Sequence, residues 1–303
     1  MLDLSGIWVA LVTPFHASVP SPQGDGAAPI DHAALRRLVR HLKQAEVTGL
    51  VALGSTGEAA ALDDAEQDAV LATVLETAEG LPVIAGLAGQ HVGHLHRRLQ
   101  QLNTLPLAAV LSPAPSYVRP SQAALVAHFT ALADASRAPL VLYDIPYRTG
   151  VTMTLDTILS LAAHPHIVGI KDCGSSLSKT QALIADGRLQ VLAGEDDRVF
   201  HNLCLGGAGA ITACAQVVPQ AYMGMQAALR AGQLAHGRQW QHRIAGVVRA
   251  LFAEPNPSVV KHALAMQGLA ETHVRAPLLP ASEAARQGFD AAWDAYLRAG
   301  EQV

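Results

Sequence analysis

One lysine stands where a lysine is chemically useful. Ile167-Val168-Gly169-Ile170 is an apolar run that reads as a short buried strand, and Lys171 ends it, with Asp172 and then Gly174-Ser175-Ser176 following. Lysine is among the residues least often buried. Desolvation disfavours its ammonium form, so a buried lysine holds a reactive neutral amine nearer to pH 7. Such an amine forms a Schiff base with a carbonyl compound. The plainer reading is a covered methylene stem with the charged head in water. For an isolated Ile-Lys that reading would win. It is outweighed here because other stretches converge on the same place.

The elements that must position this lysine alternate regularly. Apolar strands are expected over residues 7–12, 49–53, 82–86, 108–111, 139–143, 167–171, 190–193 and 208–212. Helical patterns lie between and after them, over 30–45, 63–78, 92–102, 121–135, 154–163, 177–185, 197–205 and 219–231. Asp31 and Ser121 are placed to cap the first and fourth helices. Residues 16–29, rich in Pro, Gly and Ser, read as a loop. Alternation of short, fully apolar strands with helices points to an α/β chain folded as a closed (β/α)8 TIM barrel. An open doubly wound sheet is the runner-up, but no GxGxxG follows the first strand. Residues 233–251, 258–268 and 280–299 read as three further helices without strands. The expected division is therefore a barrel over 1–232 and a helical appendage over 233–303.

In such barrels the active site lies at the carboxyl ends of the strands. The residues expected there are Thr13-Pro14, Ser55-Thr56, Tyr117, Tyr143 with Arg148, Lys171, Gly194-Glu195-Asp196 and Ile211-Thr212. Hydroxyls, one arginine and one lysine gather at one rim. A phosphate-binding reading of Gly54 to Gly57 lacks the Gly-Lys-Ser/Thr of a P-loop.

Composition narrows the partners. The chain has 303 residues, a net charge of −4 and no basic run, which argues against nucleic acid. Half the residues are hydrophobic and 15% are charged, so a large core is expected rather than disorder. No apolar run is long enough to span a bilayer, and the first residues lack the basic and apolar segments of a signal peptide. Cys173, Cys204 and Cys214 have no CxxC spacing, which fits a reducing cytoplasm and neither disulfides nor zinc. His91, His94 and His96 form the tightest histidine group and read as a solvated helix face rather than a metal site. No metal and no cofactor is expected.

Several stretches taken in order resemble the dihydrodipicolinate synthase / N-acetylneuraminate lyase family of class I, Schiff-base aldolase-like barrels. They are Ala10-Leu11-Val12-Thr13-Pro14-Phe15, Gly54-Ser55-Thr56-Gly57-Glu58, residues 143–150 (Tyr-Asp-Ile-Pro-Tyr-Arg-Thr-Gly), Gly169-Ile170-Lys171-Asp172 and Gly206-Gly207-Ala208-Gly209-Ala210-Ile211. The resemblance covers nearly the whole chain and implies roles. Lys171 would carry the imine of an α-keto acid, pyruvate first. Tyr143 would shuttle protons at the carbonyl carbon, with Ser55 and Tyr117 completing a hydroxyl relay; a phenol with an unperturbed pKa near 10 needs one. Thr56, Arg148, Gly194 and Ile211 would bind substrate. The alternative for the two tyrosines is ordinary core aromatics with satisfied hydroxyls.

Arg148 favours the synthase branch, where the resemblance has it meet the carboxylate of aspartate semialdehyde. Glu254-Pro255-Asn256-Pro257 with Lys261 points the same way. Asp144 in place of a usual asparagine, Tyr147 in place of a common serine, Asp172 in place of a frequent glutamate and the long 16–29 loop are departures. They leave open retro-aldol cleavage or dehydration of a sugar acid, and a non-catalytic keto-acid sensor. A homodimer or homotetramer is implied, because the Tyr117 loop in this family crosses to a neighbouring subunit's site. Feedback by free lysine is not expected: Ala59, Ala60, Asp64, Gln67, Gln90, His94 and Ser116 lack the charge pattern of lysine-regulated members.

Overall fold

Strands buried on both faces must be apolar throughout, and their pairing must leave no open edge unless something covers it. The computed structural model describes residues 2–16, 28–174 and 176–300. Its eight strands are β1 (Gly6–Ala10), β2 (Gly49–Ala52), β3 (Val83–Gly86), β4 (Ala109–Pro113), β5 (Leu140–Asp144), β6 (Ile167–Asp172), β7 (Gln190–Ala193) and β8 (Gly209–Thr212). They form one closed barrel in sequence order. Every residue of β1, β5, β6 and β8 is buried, as sites covered on both faces require.

The helices are α1 (His32–Gln44), α2 (Asp64–Ala78), α3 (Val92–Leu102), α4 (Gln122–Ala135), α5 (Pro146–Thr149), α6 (Leu155–Leu161), α7 (Leu177–Asp186), α8 (Val199–Cys204) and α9 (Pro219–Arg230). After them come α10 (Leu234–Leu251), α11 (Ser258–Met266) and α12 (Glu283–Gly300). The expected (β/α)8 barrel with C-terminal helices is the observed fold. Asp31 caps α1 by accepting the Ala34 N–H at 2.8 Å, and Ser121 caps α4 through Ala124 N–H at 3.3 Å. Each cap satisfies a donor the first helical turn leaves unpaired. In α3 the His91 ring is itself the cap, accepting from His94 N–H at 3.0 Å.

The chain divides into two compact units, Met1–Trp8 with Pro82–Thr212, and Val9–Leu81 with Ala213–Val303. In the first, β3 to β8 pair in parallel. In the second, α10 packs against α9 and α12, and Leu11 N–H donates to Val51 O at 3.0 Å. The first strand is shorter than its apolar run predicts. Val12 N–H donates to the Gln216 side chain at 2.9 Å instead of continuing a ladder. Of the expected loop at 16–29, residues 17–27 lie outside the described residues.

Candidate active site

Parallel pairing of β5 and β6 sets Tyr143 opposite Lys171 and, one step on, Asp144 opposite Asp172. Side chains alternate along a strand, so Tyr143 and Lys171 share one face. The Lys171 Nζ lies 4.6 Å from the centroid of the Tyr143 ring, and the two residues are 7% and 6% exposed. Lys171 is thus buried at the end of its apolar run. Gly194, directly after β7, completes the enclosure: a Cβ there would fall 2.9 Å from Lys171 Cγ and onto Cys173 Sγ. No residue with a side chain fits without displacing the Lys171 stem. Gly194 N–H donates to Asp172 O at 2.9 Å, tying the β7 exit to β6.

Two more groups border this pair. The Cys173 Sγ is 4.0 Å from the Tyr143 hydroxyl, and burial pushes its thiol well above the usual range. It is a proton-holding neighbour, not a nucleophile. Glu195 interacts with that thiol, and burial raises its carboxyl above the ordinary value, with Asp196 and Asp197 adding to the effect. Its Oε1 is buried without a hydrogen-bond partner among the described residues. Thr212, at the end of β8, donates its hydroxyl to Asp196 Oδ1 at 2.5 Å.

Arg148 sits on the single turn α5, which Pro146 starts and Gly150, at φ 75°, ends with its N–H on Pro146 O at 2.8 Å. Its guanidinium lies 5.8 Å from the Tyr147 ring centroid, and the residue is exposed. The Tyr147 phenol is pushed up to about 12, chiefly by desolvation, then by Cys173 and Glu195, while Arg148 opposes.

Ser55 and Thr56 belong to the other unit, on a 3-10 turn (Ser55–Gly57) after β2. Leu53 and Glu58 flank it in the left-handed region, at φ 58° and 52°. Such conformations persist only where surroundings enforce them. The enforcement is visible at Glu58, which pairs with Lys261 at 2.6 Å and accepts Arg275 N–H at 2.8 Å. Arg275 in turn holds Glu66 at 2.5 and 2.7 Å and the carbonyl of Ala61 at 2.8 Å. Lys261 is fully buried. Desolvation, with Arg275 adding, lowers it to about 8 against the pull of Glu58. Thr56 accepts from Asn256 Nδ2 at 2.9 Å, and Thr13 donates to Gly57 O at 2.7 Å. The Ser55 side chain is half-buried.

Tyr117 is 86% exposed with φ 70°, and Arg119 beside it has φ 46°. Ile211 is fully buried in β8. The structure thus brings Lys171, Tyr143 and Gly194 together, sets Arg148 on the neighbouring turn, and leaves Tyr117 in solvent. The strand-end rule puts Glu195 at the rim without a role, and it says nothing of Cys173, which shows no periodicity or motif of its own. For a metal, the donor atoms of His16, Asp31 and Glu271 lie within 4.8 Å of one another, but Asp31 is committed to the α1 cap. No helix among the described residues is long and apolar enough to cross a membrane.

Comparison with known proteins gives the family. The sequence model of the Dihydrodipicolinate synthetase family matches residues 3–295. The 4-hydroxy-tetrahydrodipicolinate synthase of Methanoculleus marisnigri is 35% identical over 283 residues, covering 92% of this chain and 94% of that protein. The protein of the same name from Xanthomonas axonopodis pv. citri is 37% identical over 292 residues, covering 95% and 93%. Among solved structures, the chloride-inhibited dihydrodipicolinate synthase from Acinetobacter baumannii complexed with pyruvate superposes with a TM-score of 0.90 at 32% identity, covering 97% of this chain and 99% of that one. A lysine-bearing barrel that matches this family along nearly its whole length is no chance likeness: the chain belongs to the dihydrodipicolinate synthetase family and is a lyase-type enzyme acting on small molecules.

Proposed function

We propose that this enzyme condenses pyruvate, bound as an imine on Lys171, with an aldehyde, aspartate semialdehyde first, as a 4-hydroxy-tetrahydrodipicolinate synthase. The observation that carries the reading is the buried Lys171 amine facing the Tyr143 ring on the paired strand. The neutral amine adds to C2 of pyruvate, and the carbinolamine loses water to give the iminium. Loss of a C3 proton yields the enamine, whose carbon attacks the aldehyde carbon while the aldehyde oxygen takes up a proton. The amino group of aspartate semialdehyde then attacks C2, closing the ring, and the Lys171 amine leaves as it takes up a proton. Tyr143 is the proton carrier, with Ser55 and Tyr117 as its relay and Tyr117 acting in a neighbouring subunit's site of a homo-oligomer. Thr56, Gly194 and Ile211 line the pyruvate site. Arg148 receives the second carboxylate.

Borohydride reduction in the presence of pyruvate should add the mass of a reduced pyruvate adduct to the wild type and nothing to Lys171→Ala. An adduct on another lysine, or none, overturns the imine. Arg148→Ala should retain the adduct yet lose efficiency with aspartate semialdehyde. Turnover of a sugar acid in preference to that aldehyde would move the enzyme to the other branch of the family.

The same reading excludes feedback by free lysine. Gln90 donates to Ser116 Oγ at 3.3 Å, so two of the positions that would meet the amino acid satisfy each other. Losing one charge-assisted partner costs about 1.5–3 kcal/mol, or roughly ten- to a hundredfold in affinity. Calorimetry should detect no lysine binding; inhibition at submillimolar lysine would contradict it.

A further inference from the structure

A second lysine lies behind the first, and the chemistry above has no use for it. Lys179, in the first turn of α7, is buried, and its ammonium is bonded to Asp144 Oδ2. The same nitrogen lies 3.9 Å from Asp172 Oδ1 and donates to Met153 O at 3.4 Å. The two carboxylates are the residues that directly follow Tyr143 and Lys171, and they too face each other across β5 and β6. One step along a strand turns a side chain to the opposite face, so this cluster backs the pair that does the chemistry. Every oxygen in it is used. Asp144 Oδ1 accepts Met153 N–H at 3.1 Å, and Asp172 accepts Gly174 N–H at 2.8 Å and the Thr180 hydroxyl at 2.5 Å. A Cβ on Gly174 would fall 2.8 Å from both Lys179 Nζ and Asp172 Oδ1, so the backbone closes directly over the cluster.

Stability does not account for such an arrangement. Buried ion pairs roughly break even against apolar side chains of the same volume, and their best-attested use is to fix register. Burial also works against Asp144, raising its carboxyl above the ordinary value while Lys179 opposes. The cluster has two carboxylates for one cation, and it joins points far apart in sequence: the ends of two strands, helix α7, and both ends of the 145–152 segment that carries Arg148.

We propose that Lys179 is a positioning residue, whose bonds to Asp144 and Asp172 hold Tyr143 and Lys171 in register and close the base of the Arg148 segment. Asp144 and Asp172, which depart from the usual residues of the family, then belong together as the paired partners of one cation. The inference rests on the imine reading, and the two fail differently. The measurement is the rate at which the borohydride-reducible pyruvate adduct accumulates per folded molecule, timed by quenching, with folding checked by circular dichroism. Lys179→Met should slow it at least tenfold. The double variant Asp144→Asn/Lys179→Met buries no unpaired carboxylate at Asp144, so it should melt close to the wild type and still trap at least threefold more slowly. It carries the test if the single variant does not fold. Any folded variant without Lys179 that traps pyruvate at the wild-type rate overturns the positioning role. A wild type with no adduct at Lys171 strikes the imine reading instead.

Discussion

Each compact unit buries a lysine against carboxylates beside a segment of the proposed site, and the two do it differently. In the first unit Lys179 faces two carboxylates, Asp144 and Asp172. In the second Lys261 faces Glu58, with Arg275 and Glu66 close by, so two cations meet two carboxylates. Phe15 lies between the cations, its ring centroid 4.1 Å from Lys261 Nζ and 4.5 Å from Arg275 Cζ. The surplus of carboxylates sits behind Lys171, the proposed nucleophile. The balanced cluster sits under the Ser55–Glu58 turn, where a strained backbone needs holding. The difference teaches that burial alone does not set a lysine's role; the count of counter-charges around it does.

The largest way to break the comparison is to remove a cation. Lys261→Met leaves Glu58 buried with only a backbone donor, and losing one partner of a buried pair costs about 3–5 kcal/mol. Chemical denaturation of Lys261→Met should show that loss, together with weakened pyruvate binding as the turn relaxes. A loss below about 1 kcal/mol would mean that the Lys261–Glu58 pair does not hold the turn.

A smaller effect lies in pH. The unfolded chain keeps the Lys261 proton up to about 10.5, and the folded chain releases it at about 8. Between those values the unfolded state binds more protons, so this group makes folding more favourable as pH rises through the window. The full span is on the order of 3 kcal/mol. The stability difference between wild type and Lys261→Met should therefore shift toward the wild type from pH 8 to pH 10. A flat difference would show that Glu58 holds the charge on Lys261 throughout.

The smallest stability effect is expected at the proposed catalytic group that is most exposed. Tyr117, 86% exposed, should lose its hydroxyl at a cost within about 0.5 kcal/mol. Turnover of Tyr117→Phe should nonetheless fall about a hundredfold, as for loss of a proton-transfer group. Sedimentation of the wild type checks the premise: a fully active monomer would return Tyr117 to the surface residues.

The barrel was legible because its strands are apolar on both faces, and a lone charge ending such a run is conspicuous. Lys171 stands out that way, whereas the Ser55-Thr56 turn and Arg148 are candidates by the strand-end rule, with roles that only the family resemblance implies. The short helix α5 could not: four residues carry no period, and Pro146 and Gly150 read equally well as a turn. Lys179 was invisible for a different reason. A lysine in the first turn of a helix ordinarily faces water, and only the pairing of β5 with β6 puts Asp144 and Asp172 beside it. The signal was present in another form, since two acidic residues stand at one register where the family usually has one. Cys173 and Glu195 needed the β6–β7 pairing, which no local pattern encodes.

The Glu58 cluster also sets a schedule for synthesis. Glu58 takes its hydrogen bond from Arg275, 217 residues further along the chain. At about 5–20 residues per second, the ribosome needs roughly 10–40 s to deliver that partner. Until then the left-handed backbone at Glu58 lacks its full set of partners, and the nascent barrel carries the Lys171 strand without a finished Ser55–Glu58 turn. A product truncated before α11 would keep every strand and still lack both cations of the cluster.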